Sequence, residues 1–387
     1  MKENTLINDL SRGNLARQLV SFAIPFAAAN LLQTLYTMAD LVIVGQFVGS
    51  TGLSAVSVSG QLTILLYALG IGFSNGGQIL ISQLVGRKDY SSLKSTIGTS
   101  VTAQFIISVI IAVLGIIFTK PMLAILNTPP EAMPQAVDYL IICCCGIPFV
   151  YTYNAFASVL RGMGDSKRPF YFIFTSAMTN IVLDLLFVGA FKMESAGAAL
   201  ATSLSQFASC VFAFTYLYKR RETLGFDFKL SSFAIDWGKL KTIVSLSLPL
   251  ALMTAAINIS MMFVTSLVNV YGLVASAVSG VGSKLNSIMS IVTQAIQTST
   301  ATIVGQNMGA GKHDRVKKTV YIGWVICLAF ALVVCALSLL FPRQIFSIFS
   351  SEPDVLDLSV SYLRIAVWLF ISFALMSPPL GMINGVG

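Results

Sequence analysis

Apolar residues run along this chain in long blocks separated by short polar segments, and the blocks predict its elements. Ten of them lie near 18–44, 54–84, 96–119, 137–160, 170–191, 195–218, 243–268, 274–304, 319–341 and 359–383. Each reaches about 20 residues or more with few charges, enough to cross a hydrocarbon core about 30 Å thick. Blocks of this length in lipid must be helical, because only a helix satisfies its backbone hydrogen bonds within one segment. The pattern therefore predicts an all-α integral membrane protein with ten spans. The opening "MKENTLINDLSRGNLARQ" is polar. The first apolar block is too long for the core of a signal peptide and is followed by no small-residue cleavage site, so it is read as retained.

Composition and charge add orientation. Apolar residues make up 56% of the chain and charged residues 10%, and the mean hydropathy is +0.82; soluble domains carry about 25% charged residues. Assigning the loops alternately to two sides explains the net charge of +8. One side collects 19 Lys and Arg, from Lys2, Arg12 and Arg17 to Lys317 and Lys318. The other holds Lys120, Lys192 and Arg343, and Lys284 and Arg364 fall inside spans. That bias puts the amino terminus and basic loops in the cytoplasm; the protein is expected in a prokaryotic cell membrane as a multi-pass chain. Basic residues spread over every second loop exclude a nucleic-acid role, which needs them gathered on one soluble domain. Cys143, Cys144, Cys145, Cys210, Cys327 and Cys335 all lie in apolar spans without zinc-site spacing and read as small packing residues. No "GxxxxGK[ST]" phosphate loop is present, and no His cluster or Ser/His pair points to an enzyme. No cofactor is expected.

The chain also repeats itself. "SFAIPFAAA" at Ser21 and "SLSLPLALM" at Ser245 place Pro25 opposite Pro249. "QLVGRKD" at Gln83 faces "QNMGAGKHD" at Gln306, Tyr139-Leu140 faces Tyr362-Leu363, and "LRGMG" ending at Gly164 faces "INGVG" ending at Gly387. Parallel repeats of this kind are a standard build of secondary transporters. The first copy continues through two further spans after Gly164. By that symmetry the chain has ten spans of an expected twelve. The expected lobes are 1–225, with six spans, and 243–387, with four, joined by a basic cytoplasmic linker over 226–242.

Among 16 acidic residues, only Asp40 and Asp184 sit well inside apolar blocks. An ionisable group within a span is a functional hypothesis by default. Counted from Arg17 and Arg168, Asp40 is roughly 35 Å and Asp184 roughly 24 Å along their helices at 1.5 Å per residue, so both fall in the outer half of the first lobe. Asn180 precedes Asp184 by one helical turn on the same face. Gln33, Thr37 and Asp40 share another face, with Tyr36 beside them. Thr202 and Gln206 share a face of the sixth span, where Gly197, Ala201 and Ser205 form a small-residue edge for close packing. Carboxylates, an amide and a hydroxyl are the oxygen donors that hard cations prefer. Two adjacent carboxylates also repel each other, which favours taking up a proton. The constellation serves either H⁺ or Na⁺. Lys284 and Arg364 are placed to snorkel or to line a central cavity.

At these residues the sequence resembles the multidrug and toxic compound extrusion (MATE) family. The motifs are "TMADLVIVGQFVG", "LRGMGDSKRP", "NIVLDLLFVGAF" and "SAGAALATSLSQ", and the resemblance covers essentially the whole chain. It implies two six-helix lobes and exchange of H⁺ or Na⁺ for small organic, often cationic, compounds by a monomer in the lipid bilayer. It puts Asp40, Asn180, Asp184 and Thr202 in the cation or proton site of the amino lobe, as metal ligands if the ion is Na⁺. Tyr139 and Asn154 match polar positions around that site. The seventh and tenth spans carry no acidic residue, unlike the NorM-type branch, which points to a DinF-like member coupled through its amino lobe. Cation uptake by Asp40 and Asp184 would rearrange the first helix about Pro25, a hinge residue. The rival readings are a lipid-linked precursor flippase, whose cavity would be cationic, with Lys284 as the main candidate here, and a truncated membrane protein that transports nothing.

Overall fold

The computed structural model describes residues 7–349 and 352–387; residues 1–6, with Lys2, and 350–351 lie outside the described residues. Among the described residues the fold is α-helical without strands. The long helices are α1 (Leu15–Phe47), α2 (Ser50–Arg87), α3 (Tyr90–Ile117), α4 (Met133–Gly162), α5 (Lys167–Asp184), α6 (Glu194–Lys219), α7 (Trp237–Asn269), α8 (Leu273–Gly309), α9 (His313–Leu340) and α10 (Pro353–Val386). They coincide with the ten apolar blocks. Among the described residues nine of these helices, all but α8, are long and apolar enough to cross a membrane. α8 is as long, but carries Lys284 and a run of Ser, Thr and Asn. Large apolar side chains remain exposed along the helices, such as Ile24 at 63%, Val182 at 64% and Ile365 at 74%. In a soluble protein such faces would be a liability, whereas a bilayer covers them.

The repeat is visible in the backbone. α1 and α7 each have 33 residues and α3 and α9 each have 28. Short helices at Thr119–Ile125 and Pro342–Ser347 precede α4 and α10. The turn into α2 passes through Gly49 (φ 86, ψ −163) and the turn into α8 through Gly272 (φ 94, ψ −176). Both glycines occupy a region that side chains with a Cβ avoid, so each half of the sequence keeps a glycine there.

The described chain forms two compact units. The first comprises residues 28–252 with residues 7–9; the second comprises residues 10–27 and the described residues of 253–387. These limits differ from the lobe boundaries expected at 226–242. α1 gives its first half to the second unit, and α7 gives its first half to the first unit. Each helix changes unit a few residues after its internal proline, Pro25 or Pro249. Packing explains the departure. In the second unit Leu19 and Phe22 join Ile296, Ile303, Cys327, Ala331, Leu363 and Phe370 in one core. In the first, Ile243 of α7 joins Leu80, Ile81, Leu93, Ile97, Phe156, Leu160 and Phe172. Gly72 and Gly76 of α2 leave room for Ala251 and Ser247, and the Ser247 hydroxyl donates to the Phe73 carbonyl at 3.1 Å.

The segment before α7 is likewise part of the first unit rather than a free linker. Phe226 is 1% exposed. The Ser232 carbonyl approaches Gly98 of α3 so closely that no Cβ fits there, and the Thr102 hydroxyl donates to the Phe233 carbonyl at 2.8 Å. Asp236 caps α7: its Oδ1 accepts from the Gly238 and Lys239 amides at 2.9 and 3.1 Å, and its Oδ2 accepts from the Ser95 hydroxyl at 3.0 Å. The Lys239 amide first, then Ser95, hold this carboxyl below the usual carboxylate range. A carboxylate so held stabilises the fold above its unfolded value and loses that effect as pH falls through its folded one. Asp236→Ala should therefore lower the melting temperature at neutral pH, with the gap to the parent protein closing below about pH 4. A thermal-shift series against pH reads this directly, and a gap independent of pH would contradict it.

Candidate functional site

The first unit buries two carboxylates. α1 places Asp40 two turns before its end, and Asp184 is the last residue of α5. Asp40 is 6% exposed, Asn180 1% and Asp184 0%. The Asp40 charge acts on Asp184, so the two groups share one locality. The Asn180 side-chain amide donates to the Thr202 hydroxyl at 3.5 Å, the outer limit of a hydrogen bond. Oδ1 of Asp40, Oδ1 of Asn180 and both oxygens of Asp184 have no hydrogen-bond partner. Leaving one buried polar atom unpaired costs about 1–3 kcal/mol, and more for a charge. Four such acceptors at one place form a set that a proton or a hard cation satisfies.

The remaining expected residues divide. Tyr36 is in hydrogen-bond reach of the side chains of Gln33 and Gln206, and of the Asp40 charge; α1 and α6 thus meet as the face arguments require. Tyr139 of α4 is 5% exposed and feels Asp40. Thr37 instead donates to the Gln33 carbonyl of its own helix at 2.9 Å. Asn154 donates one N–H of its side-chain amide to the Val150 carbonyl of its own helix at 2.9 Å. Lys284 is exposed on α8 in the second unit, and Pro25 lies in the part of α1 that belongs there too. The small-residue edge of α6 is buried: Ala201 is 0% and Ser205 1% exposed, and Gly197 abuts the Phe187 backbone.

Two features escape a reading by composition. The apolar block around Asp184 is not one regular helix: α5 ends at Asp184 and a π-helix runs over Leu185–Ala190. Single π turns inside helices concentrate at functional positions, and nothing in an unbroken apolar block signals one. The second feature is polar. Cys143 is buried in the core as a packing residue, and it also lies beside the side chains of Thr63 and Tyr139 and in range of Asp40. Thr63 and Tyr67 on α2, and Tyr139 and Cys143 on α4, are each four residues apart. That spacing was the available signal.

A helical membrane protein built from two repeats, with unpaired carboxylates buried in one of its units, has the design of a membrane transporter. The MatE family model matches residues 25–186 and 249–387, so that each matched stretch begins at one of the paired prolines. The probable multidrug resistance proteins YoeA and YpnP of Bacillus subtilis (strain 168) are each 31% identical to this chain. The alignments cover 94% and 92% of it and 80% and 79% of their own lengths. The crystal structure of MATE in complex with MaD3S matches with a TM-score of 0.91 at 23% identity, over 100% of this chain and 86% of that one. The chain belongs to the MATE family of membrane transporters.

Charge burial at Asp184 has a measurable cost. At alkaline pH and without sodium, Asp184→Asn removes a desolvated anion, so the purified protein should melt several degrees higher, by about 1–3 kcal/mol. A lower melting temperature would mean that Asp184 has a compensating partner.

Proposed function

We propose that this chain exports small organic compounds across the cell membrane in exchange for H⁺ or Na⁺, with Asp40 and Asp184 as the coupling carboxylates. The observation that carries this is the cluster of buried oxygens on Asp40, Asn180 and Asp184 without partners. YoeA and YpnP are probable multidrug resistance proteins, which supports drugs as the substrate class. Asn180 and Thr202 supply neutral oxygens beside the carboxylates, and Tyr36, Tyr139 and Gln206 line their approach. The lack of acidic residues in α7 and in the apolar stretch 359–383 of α10 supports a DinF-like coupling scheme confined to the first unit.

In the outward-facing state the carboxylates take up the cation, which cancels their mutual repulsion. That change favours a new course for α1, whose backbone lacks one hydrogen bond at Pro25, and releases substrate outside. In the inward-facing state the cation leaves to the cytoplasm and substrate binds there. The cation gradient is then the whole driving force. The excess of basic residues in alternate loops supports a cytoplasmic amino terminus, and the monomer is the working unit.

Reconstituted in proteoliposomes with an imposed cation gradient, Asp184→Asn should lose about tenfold or more of dye efflux, a change of about 1.4 kcal/mol or more in the transport barrier, together with the dependence on the cation. Undiminished efflux would sink this assignment. Lipid flipping without dye efflux in the parent protein would favour the flippase reading instead.

A further inference from the structure

Tyr67 of α2 has a buried hydroxyl oxygen with no hydrogen-bond partner. Its ring packs against a core formed by Leu62, Leu140, Ile147, Val150 and Tyr151, a task that a phenylalanine would do without stranding a hydroxyl in an apolar interior. The hydroxyl is also close to the candidate site. Tyr67 lies within electrostatic range of Tyr36 and Cys143, and Tyr139 lies within range of both Asp40 and Tyr67.

A polar seam connects these groups. α2 packs against α4. The Thr63 hydroxyl donates to the Ser59 carbonyl at 2.9 Å, so its oxygen is left to accept from the Cys143 thiol beside it. Cys143 in turn lies beside Tyr139. Of these groups, the Tyr67 hydroxyl is the one buried without a partner. A phenol oxygen is a hard donor that suits Na⁺, and it equally donates to or accepts from a water that carries a proton.

We propose that Tyr67 is a further ligand of the coupling site, bound to the cation or to its hydration water, and that Thr63 and Cys143 position Tyr139 beside it. This rests on the reading of Asp40 and Asp184 as coupling carboxylates. The site is thereby wider than the two carboxylates, reaching from α1 and α5 across α4 to α2.

The test is Tyr67→Phe in the full chain, reconstituted in proteoliposomes. The half-saturating concentrations of Na⁺ at fixed pH and of H⁺ without Na⁺ are measured beside the substrate KM and the melting temperature. The expected result is roughly tenfold weaker cation dependence, the scale of one hydrogen bond to a charged group, with KM unchanged and the melting temperature equal or higher. A shift in Na⁺ dependence assigns the hydroxyl to a sodium ion, and a shift confined to H⁺ assigns it to a proton-carrying water. A merely structural hydroxyl predicts no change in either cation dependence, and that result overturns the proposal. Cys143→Ala should weaken cation dependence while Cys143→Ser restores it. Identical, parent-like behaviour of both variants removes the seam from the proposal. Asp184→Asn run in parallel separates the two failures. If that variant keeps its cation dependence, the carboxylate reading fails. If it loses it while Tyr67→Phe is unaffected, only the assignment of Tyr67 fails.

Discussion

Asp184 keeps both carboxylate oxygens inside a helical unit with no hydrogen-bond partner, and the local structure is organised around that cost. A charge in a hydrocarbon environment is tolerated where it faces the bundle interior, so the helices around it must pack closely enough to exclude lipid. The small residues of α6 provide this. With Ala198, Ala199 and Ala201 at 0% exposure and Gly197 against the Phe187 backbone, α6 lies almost directly on the segment that follows Asp184. Ser203 on the same helix faces Gly146 of α4, where a Cβ would come within 3.1 Å of the Ser203 Cβ. Close backbone approach and the buried carboxylate are parts of one arrangement.

The π-helix at Leu185–Ala190 belongs to it as well. A regular helix would carry its hydrogen bonds past Asp184 without a break, whereas a switch to the wider turn alters the rotation of everything that follows relative to the carboxylate. A change of register at such a turn shifts hydrogen bonds rather than unpacking a core. The proposed coupling carboxylate, Asp184, sits at that junction.

The sequence made much of this legible, and for a physical reason. Length and apolarity alone specify a spanning helix, so all ten long helices coincide with the apolar blocks. The charge cost within a span singles out Asp40 and Asp184, and helical periodicity brings Asn180, Thr202, Tyr36 and Gln206 to them. What stayed hidden depends on tertiary packing. The sharing of α1 and α7 between units follows from which cores Leu19 and Ile243 enter, and hydropathy treats both sides of Pro25 and Pro249 alike. Thr37 and Asn154 look like site residues by type and position, yet each gives a hydrogen to its own helix. Cys143 looks like a small core residue until its neighbours on α2 are known. Periodicity locates a face; it does not say which polar atoms on that face are already satisfied.

The duplicated frame carries unduplicated chemistry. Gly49 and Gly272 make the same turn, and Pro25 and Pro249 sit at the same point of equivalent helices. Yet the positions of α7 that answer to Asp40 are Phe263 and Val264. Tyr362, the counterpart of Tyr139, packs onto Gly282 and joins the aromatic and aliphatic core of the second unit beside Phe346. The second copy also leaves buried oxygens unpaired, on Asn286 and Thr300, but these are neutral; the buried unpaired carboxylate oxygens are those of Asp40 and Asp184 in the first. A chain built this way draws stability from both copies while confining the costly buried charges to one. That cost is why the loss of a single charge at Asp184 is expected to change stability and transport in opposite directions.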